Sequence, residues 1–291
     1  MLIGGVNCLK PTIVYIASRP HSGSTLLALL INAHSQVISV GELKQLLRHQ
    51  PCTCHGLPPE ECPFWSQVAA SVYESVGLGL DELTLIDGGD DLTFLRDNQA
   101  LFSALVSVSG CSIIVDSSKS LQRLKRLRRA VGDGAQLKLI PIHLHRGPFG
   151  TLNSARRKES DLCAPIYKYC ESFFETRTYL KKIRHVRVCY ETLARNPRRE
   201  LSRVMQEIGL VFEVSQLHWR NAVIRDVGGN RMRAGSSDVI RLDQSWRREL
   251  KGLLKLRILI QTLPVRLRSR LLFKLWRPWL KPVKDTPKLS R

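Results

Sequence analysis

An uncharged run rich in β-branched residues, Thr12-Ile13-Val14-Tyr15-Ile16-Ala17-Ser18, passes directly into the polar loop Arg19-Pro20-His21-Ser22-Gly23-Ser24-Thr25 and then into the apolar residues 26–30. Strand, small-residue loop and helix in that order predict an α/β fold with a phosphate site at the end of its first strand. Loop N–H groups and the unpaired N–H groups of the helix's first turn point at one spot, and the helix dipole adds positive potential there. Gly23 permits close approach, while Ser22, Ser24 and Thr25 add hydroxyl donors. An ordinary turn whose Ser or Thr only caps the helix has the same local sequence, so a second feature is needed. A Walker loop would read GxxxxGK followed by Ser or Thr. This loop lacks the lysine and one of the glycines, which disfavours an ordinary P-loop kinase or ATPase and keeps a divergent P-loop nucleotide kinase as the alternative enzyme.

Three more strand-like runs, at 112–116, 137–144 and 185–190, alternate with helical stretches at 26–33, 92–108, 121–131, 151–158 and 166–183. That alternation predicts a P-loop-like three-layer α/β/α architecture with a central parallel sheet. The 291 residues, 43% of them hydrophobic and 24% charged, suffice for one large core and exclude disorder as the main state. No run approaches the ~18 uninterrupted apolar residues that a membrane helix needs. The initial MLIGGVNCLKPTIVYIAS has no positive region ahead of its apolar stretch, so it reads as a first strand rather than a signal peptide. The glycine-flanked residues 78–91 predict a mobile connection.

The second feature is His145-Arg146-Gly147-Pro148-Phe149-Gly150-Thr151-Leu152-Asn153-Ser154. Arg146 falls at the carboxyl end of a predicted strand, and Pro148 is suited to open the next helix, which sets Ser154 one to two turns in. A guanidinium fork and a hydroxyl converging beside the sheet edge make a phosphate clamp.

With both motifs on one chain, the sequence resembles the sulfotransferases that use 3′-phosphoadenosine 5′-phosphosulfate, in particular the bacterial-type members. The family's 5′-phosphosulfate loop is similar to RPHSGSTLLALLINAH at 19–34, and its 3′-phosphate motif, an Arg and a Ser eight residues apart after a strand, is similar to Arg146 and Ser154. Gly41-Glu42-Leu43, Val115-Asp116-Ser117-Ser118-Lys119, Val188-Cys189-Tyr190-Glu191-Thr192-Leu193 and Gly228-Gly229-Asn230-Arg231-Met232-Arg233 resemble further blocks in the same order. The resemblance implies transfer of the donor's sulfuryl group to a hydroxyl or amine of an acceptor. It places the donor's 5′ end against Arg19, Ser22, Gly23, Ser24 and Thr25 and its 3′-phosphate near Arg146 and Ser154. Asn230, Arg231 and Arg233 are expected in a late loop over the adenosine or its phosphate. Hydrogen-bond donors and cations suffice for such an in-line displacement, and no metal is required. The acceptor, whether a small molecule, carbohydrate, lipid or protein, is expected to lie between residues 52–89 and 166–179.

Three residues are expected at the reacting atoms. His21 stands where family members usually carry Lys or Arg. A free histidine titrates near ~6.5 and is only partly charged at neutral pH, but adjacent anions are expected to hold it as the cation that donates to the bridging oxygen. Glu42, after Gly41 at the pocket edge, is the expected base for the acceptor, although it equally suits a carboxylate complementing a helix start. Lys119 closes the next strand and is placed to hold the sulfuryl oxygens, or else it simply begins the basic helix of Arg123, Lys125, Arg126, Arg128 and Arg129, whose charges are expected to face solvent. Tyr190-Glu191 followed by Asn196-Pro197 reads as a strand-to-helix corner.

Lys and Arg number 45 against 25 Asp and Glu, a formal charge of +20 that calls for an anionic partner. Fourteen of those cations and two of the acids lie in residues 247–291. The predicted division is therefore a sulfotransferase-like domain over 1–241 and a basic amphipathic helical extension over 242–291. The extension packs on the domain or lies on an anionic membrane surface with Trp246, Phe273, Trp276 and Trp279 at headgroup level. Charge alone also permits a non-enzymatic protein that binds anionic surfaces. Nucleic acid is disfavoured, because outside the tail the aromatic residues are not interleaved with cations as a stacking platform needs. Eight cysteines are too sparse for a disulfide scaffold and fit a reducing, cytoplasmic setting, peripheral at the inner membrane surface if the tail binds lipid. Cys52, Cys54, His55 and Cys62 have the one suggestive spacing. Yet C-x-C followed by seven residues and a third Cys is not a standard zinc pattern, so no metal is expected there.

Overall fold

A strand that is apolar on both faces must be covered twice, and β1 (Thr12–Ser18) is: Ile13, Tyr15 and Ala17 face one layer of helices, Val14 and Ile16 the other. The computed structural model describes residues 10–131, 136–157, 161–228 and 238–280. After β1 come α1 (Ser24–Asn32), β2 (Val37–Gly41), α2 (Leu43–Leu46), α3 (Pro63–Val76), α4 (Asp91–Ser109), β3 (Ile113–Lys119), α5 (Leu121–Ala130) and β4 (Lys138–His145). They are followed by α6 (Pro148–Arg156), α7 (Cys163–Leu180), β5 (Val186–Cys189), α8 (Tyr190–Arg195), α9 (Pro197–Ile208) and a 3-10 segment, Val214–Asn221. Four more helices close the described chain: α10 (Trp246–Glu249), α11 (Gly252–Gln261), α12 (Leu263–Arg266) and α13 (Arg270–Leu280).

Among the described residues the five strands pair in parallel in the order β2-β3-β1-β4-β5, so β1 is central with β3 and β4 on opposite sides. Helices α3, α4 and α5 cover one face through Trp65, Val68, Phe94, Leu101, Leu124 and Leu127. On the other face, α1 and α9 pack through Leu27, Leu30, Val204 and Met205. This is the expected α/β/α sandwich with a parallel sheet. Pro141 is tolerated inside β4 because pairing with β5 begins only at Ile142. Pro148 opens α6, as its fixed φ predicts.

Two expectations change. The connection before α4 is anchored rather than loose: Leu80, Leu83 and Leu85 are buried, and Thr84 N–H donates to Asp97 Oδ2 at 2.7 Å. Arg123 is not on a solvated face. It is fully buried, its Nε on Asp116 Oδ2 at 2.9 Å, its Nη2 on Asn98 Oδ1 at 2.9 Å and its Nη1 on the Leu85 carbonyl. Asp116 is therefore a core anion fastening α5 to β3. In the tail, Leu250, Ile258, Val265, Phe273 and Leu280 bury against Leu152, Ile166, Cys170 and Phe174 of α6 and α7. Phe273 stacks on Phe174 and Trp246 on Phe149, with centroids 5.0 and 4.7 Å apart. Trp276 packs on the same cluster, which leaves Trp279, 86% exposed, as the one aromatic residue of the expected headgroup row that faces solvent. None of the described helices is long and apolar enough to cross a membrane.

Replacing Arg123 by Met strands the Asp116 carboxylate in the core. Urea unfolding is expected to show a loss of ~3–5 kcal/mol with little change in m.

Candidate active site

The loop after β1 is wound tightly, with His21 at φ 67 and Gly23 at φ 89, both left-handed. Such residues turn nearby N–H groups inward and build an anion-binding concavity. Gly23 is also the N-cap of α1, and no side chain satisfies the helix's first N–H groups. A side chain at Gly23 would be strained by its φ, and its Cβ would lie 2.5 Å from the Tyr190 ring.

Tyr190 begins α8 at the end of β5. The Arg146 guanidinium stacks over its ring, 4.3 Å from the centroid, so one aromatic plate separates the first loop from the end of β4. Arg146 is 7% exposed and its Nη1 donates to the His21 carbonyl at 3.1 Å. Its Nη2 meets Asp243 Oδ2 at 2.8 Å, and Tyr169 Oη donates to its carbonyl at 3.0 Å. Gly150 makes room for the fork, since a Cβ there would stand 2.5 Å from Arg146 Nε. Burial pushes the Asp243 carboxyl up, but hydrogen bonds from Arg146 and Ser245 outweigh it and bring it down to about 2.

On the other side of β1, register shifts between β1 and β3 and between β2 and β3 bend the strand ends. Lys119 takes a left-handed φ of 67 there, and its Nζ lies 2.5 Å from Glu42 Oε1. Ser118 Oγ accepts from the Leu43 N–H at 3.1 Å and so fixes the turn that carries Glu42. Burial raises the Glu42 carboxyl, but the Lys119 charge and hydrogen bonds from Lys119 and Lys44 hold it below the ordinary carboxylate range. It is an ion at neutral pH.

These two halves wall a single cavity of about 1370 Å³ at the carboxyl ends of the strands. His21, Gly23, Ser24, Thr25, Glu42, Lys119, Arg146 and Ser154 all line it. The wall also carries Lys44, Arg157 and Arg241, against the carboxylates of Glu42 and Asp243. Arg19 and Ser22 are not in this wall. Arg19 turns away and its Nη2 donates to the Pro165 carbonyl of α7 at 3.1 Å, while Ser22 is 2% exposed; both line a small adjoining void of about 30 Å³. Of the segments expected around an acceptor, Ile86 and Ser172 reach the cavity. Asn230, Arg231 and Arg233 lie outside the described residues.

No family model matches the sequence and no curated protein matches it. Solved structures do. The sulfotransferase domain of the Synechococcus PCC 7002 olefin synthase is 20% identical, with a TM-score of 0.58 over 88% of this chain and 95% of that one. The sulfotransferase domain of the curacin biosynthetic pathway, also 20% identical, has a TM-score of 0.52 over 86% and 97%. Sulfotransferase STF9 of Mycobacterium avium is 12% identical, at 0.51 over 90% and 77%. The chain has the sulfotransferase fold. Its cavity lies at the strand ends where that fold's β1, β3 and β4 meet, the position at which open α/β sheets bind ligands.

Tyr190 and Asp243 are two of the wall residues that the sequence did not single out. Tyr190 sits in a block already noted, but only its plate-like position between Gly23 and Arg146 reveals its role. Asp243 carries no local signal at all, being one carboxylate at the start of a basic tail.

Two outcomes follow from this geometry. Gly77, at φ 69 with nothing within 4 Å of its Cβ, has only the backbone penalty to meet, so Gly77→Ala is expected to cost ~1–2 kcal/mol; Gly23→Ala, which also meets Tyr190, is expected to cost clearly more in urea unfolding. A carboxylate held below its unfolded value stabilises the fold above that value and loses the contribution as pH falls toward the native one. The melting temperature of Asp243→Asn is therefore expected to fall less steeply than that of the wild type between about pH 4 and pH 2.

Proposed function

We propose that this protein is a sulfotransferase that moves the sulfuryl group of 3′-phosphoadenosine 5′-phosphosulfate to a hydroxyl or amine of an acceptor. One observation carries the reading: His21 and Arg146, 125 residues apart, are joined by a hydrogen bond and wall one cation-rich cavity with Ser24, Thr25, Lys119 and Ser154. The residues fit a nucleotide with phosphate at both ends of its ribose. The left-handed loop and the uncapped start of α1 suit the 5′ end, with Ser24 and Thr25 adding hydroxyls. Arg146 already holds one oxyanion, the Asp243 carboxylate, which supports its fork as the site of the 3′-phosphate, with Ser154 beside it. When bound, the donor supplies the sulfuryl group and an adenosine bisphosphate that leaves.

The chain's own groups divide the remaining work. His21, as a cation, donates toward the bridging oxygen on which charge builds. Glu42, ionised and facing the cavity, takes the proton of the acceptor hydroxyl or amine. Lys119, which holds Glu42 in the free protein, is positioned to turn to the sulfuryl oxygens as charge develops there. The kinase alternative has no lysine in its first loop to reach terminal phosphates, and no observation on the fold favours it.

Transfer of radiolabelled sulfate from the donor to a panel of hydroxyl and amine acceptors tests the reading. Glu42→Gln is expected to lower kcat by ~100-fold or more while leaving the donor KM near that of the wild type. Activity that needs protonated His21 falls as pH rises through the histidine's range. His21→Lys is expected to move that alkaline limb upward by several pH units. A limb that stays in place would remove His21 from the reaction.

A further inference from the structure

Behind the wall that carries Glu42, the chain folds a thiol-rich turn that the transfer reaction does not use. Residues 51–57 are tied to a distant segment: Thr53 N–H and Oγ1 both donate to the Asp226 carbonyl at 2.8 and 2.7 Å, and Gly228 N–H donates to the Pro51 carbonyl at 2.9 Å. The turn closes on itself through Cys52 N–H to the Leu57 carbonyl, 2.8 Å, and Gly56 N–H to the Cys52 carbonyl, 3.0 Å. Cys62 then stands as the N-cap of the 14-residue helix α3. This path brings the Sγ atoms of Cys52, Cys54 and Cys62 and a ring nitrogen of His55 within 4.8 Å of one another.

Two of the six ligand–ligand distances lie close to the edges of a coordination tetrahedron, and all six are within 4.8 Å. Zinc bound at ~2.3 Å to sulfur and ~2.0–2.1 Å to nitrogen sets its ligand atoms ~3.5–3.8 Å apart. Cys54 Sγ and Cys62 Sγ are 3.5 Å apart, and His55 Nδ1 is 3.3 Å from Cys62 Sγ. All three thiols are free rather than joined as disulfides. The surroundings favour thiolate. Cys62 stands at the N-cap of α3, where the helix dipole favours negative charge.

We propose that Cys52, Cys54, His55 and Cys62 bind one zinc ion in a closed structural site. Four protein ligands fill the tetrahedron and leave no open position for water or substrate, and none of the four lines the 1370 Å³ cavity. The ion clips the turn at 51–57 to the start of α3. Through Asp226 and Gly228, whose neighbour Val227 lines the cavity, it braces the side of the wall that bears Glu42 and Gln45. Sequence spacing argued against a metal because C-x-C-H with a distant third Cys matches no common zinc module; the fold, not the spacing, brings the fourth corner in.

The test uses the full chain, purified under a phosphine reductant, stripped with chelator and titrated with Co(II) or Zn(II). Cobalt is expected to saturate at one equivalent with the intense visible bands of a four-coordinate ion and a thiolate charge-transfer band in the near ultraviolet. Zinc is expected to displace it and raise the melting temperature. His55→Cys, at an exposed position, is expected to keep one equivalent with shifted bands, and Cys62→Ser to lose the charge-transfer intensity. Should Cys62→Ser not fold, the wild-type and His55→Cys titrations decide the matter. Weak six-coordinate cobalt spectra in the reduced wild type, or bands that are unchanged in His55→Cys, would overturn the site.

Discussion

A guanidinium lying on an aromatic ring holds the centre of this structure together. Arg146 stacks on Tyr190, bonds the His21 carbonyl and pairs with Asp243, so the ends of β1, β4 and β5 and the start of the basic tail meet at one side chain. The contact is possible because two residues have no side chain. At Gly23 a Cβ would strike the ring, and at Gly150 it would strike the guanidinium itself. A desolvated Arg on a ring face with charged and carbonyl partners is worth more than a surface pair, since the low dielectric strengthens every term and leaves no water to replace a lost partner.

Two of the cavity's cations are held by the protein's own carboxylates. Arg146 carries Asp243 and Lys119 carries Glu42, and both acids stay ionised well below neutral pH. These pairs keep the cationic groups oriented in the free protein, which reduces the reorganisation a bound anion would require. Under the proposed function they also set a competition, in which an incoming phosphate takes Arg146 from Asp243. In the proposed reaction the Glu42–Lys119 pair has a matching logic: proton uptake by Glu42 weakens its hold on Lys119 as negative charge grows nearby.

Much of this was legible in the sequence. The strands showed themselves because burial on both faces demands unbroken apolar runs, and the loop after β1 because left-handed turns and close approach demand Gly23. Pro148 announced the start of α6. What failed, failed through partners distant in sequence. Arg123 looks like one of five cations on a basic helix, and only Asp116, Asn98 and the Leu85 carbonyl make it a core residue. The tail's spacing left domain packing and a membrane surface both open, and Phe149 and Phe174 give Trp246 and Phe273 a protein surface to cover.

The central claim is a pocket that distinguishes phosphate at both ends of one ribose, and calorimetric titration compares its two ends directly. At fixed salt, adenosine 3′,5′-bisphosphate is expected to bind ~10- to 100-fold more tightly than adenosine 5′-monophosphate, with the difference abolished in Arg146→Ala. Equal affinity for the two nucleotides in the wild-type protein, or a difference that survives Arg146→Ala, would contradict the account.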